Sequence, residues 1–379
     1  MAMGFLKSFR IVRFPAGMLG CLTWIALAGP SLSGGGNALI AADPPAVMVS
    51  DPNAPIAFKD LTPPALHGGG EGHGMAHGVI QEHGAHGAAE EGGFYGSAEY
   101  LLMRPRRGLM DYAIRDPNNN LVPEGDVLSL NYKLRSGVRA GIGYRVPESA
   151  WDFQTNYTFF ESRAGADAFA PAGGTLYATL TRPTLNDNVT SASARAGLEY
   201  NVWDAVIGRR IVIDERASIR PYAGLSWAII RQTLDVSYNG GQANQGQVNA
   251  NSFFNGFGPI VGVEGQFNIT EHWNLYARGQ GGLFTGTVRN PLLETNNAGL
   301  TTYANLNFNT RKVVPMASLA IAGGWQSGRV TIRAGYEVTN WFGLIDQPRL
   351  TGELSEGKVV TRSTDLSLEG LFVYFGLTF

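Results

Sequence analysis

Val138-Arg-Ala-Gly-Ile-Gly-Tyr-Arg-Val146, Pro147-Glu-Ser-Ala150 and Trp151-Asp-Phe-Gln-Thr-Asn-Tyr-Thr-Phe159 decide the fold. In the first run Val138, Ala140, Ile142, Tyr144 and Val146 alternate with Arg139, Gly141, Gly143 and Arg145. In the second, Trp151, Phe153, Thr155, Tyr157 and Phe159 alternate with Asp152, Gln154, Asn156 and Thr158. A period of two is the period of a β-strand, one face apolar and the other polar. The short turn between the runs makes them an antiparallel hairpin.

The same unit recurs along the chain. Val261, Val263, Gly265 and Phe267 pass through Thr270-Glu-His272 into Trp273, Leu275 and Ala277. Ala317, Leu319 and Ile321 pass through Gln326-Ser-Gly-Arg329 into Val330, Ile332, Ala334, Tyr336 and Val338. Further runs cover 192–211 and 219–229, and single strands near 94–103 and 365–379 open and close the series. Gaps near 104–135, 164–189, 235–251, 290–312 and 341–364 are long and rich in Asn, Gly and Thr; gaps near 147–150, 212–218, 270–272 and 326–329 are short. About ten strands with long and short links in alternation predict an all-β, transmembrane, antiparallel up-and-down β-barrel with long external loops. Twelve strands result if residues 109–115 and 128–135 form a hairpin within the membrane. Between Ala192 and Val202 the apolar residues are even-numbered, whereas Trp203, Ala205 and Ile207 are odd, which predicts a β-bulge or two merged segments. Arg195 and Glu199 are therefore left unassigned.

Outside this body the chain changes character. Lys7, Arg10 and Arg13, then Met18–Ala28 and the small residues up to Ile40-Ala-Ala42, have the order of a secretory signal. Residues 1–42 are read as that signal, cleaved near Ala41 or Ala42, with Cys21 removed in it. Residues 43–93 are Pro-, Gly- and His-rich without apolar period, a disordered periplasmic spacer by composition. Its His67, His73, His77, His83 and His86 are weak candidates for a loosely held metal, and a solvated linker is favoured. Residues 94–379 are the barrel.

Composition agrees. Of 379 residues 50 are glycine, 16% are charged and 11% aromatic, a balance suited to a β-rich protein whose surface is not mainly in water. Lys+Arg 29 against Asp+Glu 31 lacks the basic excess of a nucleic-acid binder. One cysteine excludes a disulfide scaffold. The final strand, Leu371, Val373, Phe375, Leu377 and Phe379 on one face, ends in the aromatic residue expected of a strand read by the outer-membrane assembly machinery.

Within the barrel the polar phase predicts the pore lining: Arg139, Arg145, Arg220, Arg278 and Arg333, with Asp152, Glu264 and Glu337 and the neutral Gln154, Asn156 and Gln280. Such charges can line a narrow wet pathway or pair across the bore and close it, and the residues alone do not separate the two. More guanidinium groups than carboxylates predicts a weak anion preference. A hydrolase is disfavoured: the barrel holds a single histidine, His272, in a short turn, and Asp111 and Asp346 sit in polar outer regions. No motif requires a cofactor. A third class, a filled structural or adhesive barrel, would use the loops holding Asn118-Asn-Asn120, Gly240–Gly246 and Asn296-Asn297 to bind ligands.

Several blocks in order resemble the Legionella-type family of pore-forming major outer-membrane proteins. They are Phe94–Arg106 with Leu109–Ala113, Gly137–Arg145, Leu198–Asp204 with Gly208-Arg-Arg210, Arg220–Leu225, Phe254–Gly258 and Ala334-Gly-Tyr-Glu337. The likeness spans roughly 94–379 and leaves out the His-rich tract. It implies an outer-membrane channel and brings no catalytic residues. The expected partners are outer-membrane lipid, the assembly machinery and small solutes or ions; homo-oligomer formation is left open.

Overall fold

The computed structural model describes residues 92–118, 120, 122–352 and 358–379. The leader and the five candidate metal histidines lie outside these residues. Ten wall strands follow in order: β1 (Gly93–Arg107), β2 (Arg135–Arg145), β3 (Trp151–Phe169), β4 (Ser191–Arg209), β5 (Ala217–Gly240), β6 (Ser252–Asn268), β7 (Trp273–Asn296), β8 (Thr301–Ser327), β9 (Val330–Leu350) and β10 (Val359–Thr378). Each pairs antiparallel with its chain neighbours, and β1 pairs with β10 from Tyr95↔Thr378 to Arg107↔Leu366, which closes the ring. Over the half near the short turns closure leaves the wall no unpaired edge, the condition for a sheet to stand in hydrocarbon; β8 and β9 pair only from Met316↔Trp341 down to Ser327↔Val330.

The strands run well past the membrane. The stretches expected as loops at 290–312 and 341–364 are largely strand: β7 and β8 pair up to Asn296↔Thr301. Their outer halves carry the reverse polarity of their inner halves. On β4, Ala192, Ala194, Ala196, Leu198, Tyr200 and Val202 are buried inside, while Arg195 and Glu199 face out; lower down, Trp203 and Ile207 are exposed. β3 and β5 pair with β4 along its whole length without a register shift, so neither a bulge nor a merged segment exists there. The even phase points inward throughout, and what changes is the surroundings. Lipid around the half near the short turns draws apolar residues outward, and water around the other half drives them inward. β5 repeats the switch between Trp227 and Ile230, and β10 between Leu371 and Leu368.

The two longest loops fold back into the mouth of the barrel. Asp111–Asp116 and Asp126–Ser129 do form a hairpin, but it joins Thr175–Ala178 and Asn188–Val189 in a separate four-stranded sheet, so the wall has ten strands rather than twelve. Ala113, Leu176 and Val189 of this inner sheet are fully buried. Tyr238 on β5 donates to the Tyr112 carbonyl at 2.6 Å, and Arg349 on β9 to the Thr179 carbonyl at 3.0 Å.

Candidate functional site

The bore between the wall strands holds a cavity of about 520 Å³. It reaches from the short-turn rim at Arg210, Gln326 and Arg329 up to Tyr200, Met316 and Phe372. All eleven residues of the polar phase line it: Arg139, Arg145, Asp152, Gln154, Asn156, Arg220, Glu264, Arg278, Gln280, Arg333 and Glu337. They come from six strands, and strand alternation is what aims them all inward. Arg195 and Glu199 lie on the outer surface, paired with Asp167 and Arg231.

Near the rim, Arg220 donates through Nε to Asp152 at 2.8 Å and reaches Glu264 at 3.3 Å. Tyr95 donates to the same Asp152 carboxylate at 3.2 Å. On β9 the Arg333 guanidinium lies 4.1 Å from the Tyr276 ring centre and 5.1 Å from that of Tyr374, held by cation–π attraction and one hydrogen bond to Gln266. Arg145 stands over Tyr95 at 5.6 Å. Gln154 donates to Asn156 and Tyr222 to Gln280.

The deepest charges form a four-membered chain across the bore. Glu337, 2% exposed, binds Arg139 at 2.8 Å and Arg278 at 2.6 Å, and Arg139 also binds Glu99 at 2.6 Å. Two cations and two anions balance there, as buried charges must. The lining also holds Arg210 and Arg329 at the rim, and the acids Glu99 and Asp204, which were not singled out in the sequence. Glu99 stands in the inward phase of β1, so that phase held the signal; Asp204 falls in the region where the polarity reverses.

Directly above the chain the bore turns apolar. Trp341, Phe254, Phe284, Phe160, Leu101, Leu198 and Ile230, each at most 1% exposed, belong to one buried apolar cluster. The Trp341 ring sits 4.6 Å from Phe284 and 6.2 Å from both Phe254 and Tyr200. Strand alternation aims it inward with Glu337 and Thr339; a bulge follows it in β9, between Trp341 and Ile345, where Gly343 at φ +58° supplies the left-handed residue that such a kink favours. The Gly343 N–H donates to Asp365 at 2.7 Å. Among the described residues the polar cavity thus ends at an aromatic ceiling, beneath the inner sheet.

The other sequence candidates are accounted for by local partners. His272 Nδ1 lies 3.2 Å from the Gln326 carbonyl at the short-turn end. Asp111 pairs with Arg349 at 3.3 Å, and Asp346 with Lys312 at 2.7 Å and Ser363 at 2.6 Å. Phe379 is exposed at the short-turn rim, its N–H donating to the Phe94 carbonyl at 2.9 Å.

A family model described as Legionella pneumophila major outer membrane protein precursor matches residues 89–379. No curated protein matches the sequence significantly. Among solved structures, similar chains include outer membrane protease OmpT from Escherichia coli, 10% identical, with 76% of this chain and 97% of that chain covered at a TM-score of 0.44. The translocator domain of autotransporter NalP from Neisseria meningitidis is 13% identical, covering 76% and 88% at 0.34. A TodX deltaS2S3 mutant monoaromatic hydrocarbon channel is 10% identical, covering 76% and 91% at 0.31.

Proposed function

Because the chain belongs to the Legionella major outer membrane protein family, and so sits as a barrel in the outer membrane, we propose that it is a narrow gated channel for small polar solutes. One observation supports this above others: a charged cavity on the short-turn side of the bore stops at an apolar layer built from a few large side chains. Ten strands leave a bore only slightly wider than the eight that side chains just fill, so a handful of rings suffices to close it. Hydrophobic constrictions of this kind gate by excluding water. Solute enters the lower half and passes only when Trp341 and its neighbours move.

Seven arginines against five carboxylates around the cavity favour anions in the open state. The reading includes no catalysis: His272 is at the opposite end of the barrel from Asp111 and Asp346. In this reading Phe379, exposed at the rim, is the residue offered to the assembly machinery.

The experiment is conductance in planar bilayers. Wild type is expected to open rarely. Trp341→Ala combined with Phe284→Ala is expected to raise the open fraction by an order of magnitude or more, with reversal potentials in a salt gradient on the anion side. Steady ohmic conductance of the wild type would refute the gate. Silence of both proteins would favour a second reading, a sealed barrel that displays its outer half, for which the full burial of Trp341 and its apolar neighbours is the specific support.

A further inference from the structure

The outward face of the wall carries a second feature, independent of the bore. On β7 the lipid-facing residues run from Trp273 to Leu283, on β8 from Trp325 to Val313, on β5 from Pro221 to Ile229 and on β6 from Phe267 to Phe257. These spans are close to the 9–11 tilted residues that cross a bilayer. One to three outward positions above each stand Arg231, Phe253, Arg289 and Arg311. Register sets them side by side: Arg231 is opposite Phe253, Phe253 opposite Arg289, and Arg289 opposite Asn309, two residues from Arg311.

Elsewhere on this rim three arginines are neutralised by acids, and Arg104 donates to the Tyr132 carbonyl at 3.1 Å. Arg106 binds Glu369 at 2.5 Å, Arg163 binds Glu161 at 2.6 Å and Arg195 binds Asp167 at 3.0 Å. The β5–β8 arc differs. Arg231 shares Glu199 at 3.4 Å and lies 5.5 Å over the Phe253 ring. Arg289 and Arg311, both exposed, make no ion pair among the described residues. The nearest outward acid on these strands, Asp235, accepts from Asn249 at 2.7 Å.

We propose that this arc binds the phosphates of a diphosphorylated, multiply acylated lipid of the outer leaflet. The plane just above an apolar belt is where such a lipid presents its headgroup. Guanidinium groups match phosphate oxygens in fork geometry. Arg231 and Arg289 are about 10 Å apart at two strand spacings, and Arg289 and Arg311 about 7–8 Å apart on a diagonal, so two phosphates can be held together. Phe253 and the belt beneath it receive the acyl chains. The excess of unpaired positive charge selects an anionic headgroup over a zwitterionic one.

The test uses the detergent-solubilised full chain and lipid A, with binding read by native mass spectrometry. Arg289→Gln with Arg311→Gln is expected to weaken lipid A binding about tenfold. Arg163→Gln, at a neutralised rim position, should leave it unchanged. Dephosphorylated lipid A should bind the wild type as poorly as lipid A binds the double variant. Arg289→Lys with Arg311→Lys, which keeps the charge and the folded wall, should retain part of the affinity. Full binding by the Gln pair, an equal loss in Arg163→Gln, or displacement of lipid A by an equal concentration of inorganic phosphate would each overturn the assignment. None of these readouts depends on whether the bore conducts.

Discussion

Replacing Glu337 by Ala is expected to cost the folded barrel about 3 kcal/mol, the lower end of the range for removing one partner from a buried ion pair. The carboxylate bridges Arg139 and Arg278 and is nearly unexposed, so its loss leaves two neighbouring guanidinium groups with Glu99, on Arg139, as their one remaining ion pair among the described residues. Water in the cavity below softens the penalty, which is why the lower figure is chosen. Urea titration of the refolded protein, followed by the gel mobility of the folded form, reads the effect. Adding Arg278→Gln to the Ala variant should recover part of the loss, since the cluster then returns to one cation and one anion. A Glu337→Ala protein as stable as wild type would mean the four-membered chain contributes no net stability.

The second large effect concerns the inner sheet and pH. Glu294 on the outer half of β7 is 2% exposed, and its carboxylate accepts the Arg182 N–H at 2.9 and 3.1 Å. Burial raises its pKa to about 7, with Asp187 adding to the rise, against the opposing Arg182 backbone hydrogen bond and charge. A carboxyl raised in the folded state stabilises it most below the ordinary value and loses that contribution as pH climbs through 7. The loop carrying Arg182 is therefore held most firmly in acid and least at pH 8–9. The span from 4.5 to about 7 corresponds to roughly 3 kcal/mol across that range. Hydrogen exchange of residues 175–189, corrected for intrinsic rates, should show faster opening at pH 8.5 than at pH 5.5. In Glu294→Gln, which keeps an acceptor for Arg182 and cannot ionise, the difference should vanish. Equal exchange at both pH values in the wild type would sink this account.

The membrane half of the wall was legible because lipid and bore impose opposite demands on alternate residues. Val138 and Arg139, or Phe153 and Gln154, announce their faces by chemistry alone. That is enough to place eleven side chains around one cavity. It is not enough to pair them: Arg139 meets Glu337 across 198 positions, a neighbour fixed by closure of the ring and not by spacing. The outer half was misread for a different reason. Asn- and Gly-rich composition around 290–312 suggested loops, yet those residues are strand, because a barrel standing in water needs no hydrophobic outer face. Trp341 falls just where the polar 341–364 stretch begins, yet it keeps the inward phase of Glu337 and Thr339 and so points into the bore. The reversal at Val202 and Trp203 was visible as a change of parity; its cause, a change of surroundings at constant register, was not.

That reversal has a consequence for how the protein tolerates substitution. Each wall strand obeys one grammar up to its midpoint and the opposite grammar beyond it. A saturation library scored for folded product should therefore draw a chequerboard with a fault line. On β4, serine in place of Ile207 should be penalised and serine in place of Glu199 accepted, whereas serine in place of Leu198 should be penalised in turn. The height at which the pattern inverts, traced around all ten strands, would mark the bilayer's outer boundary without any membrane being imaged.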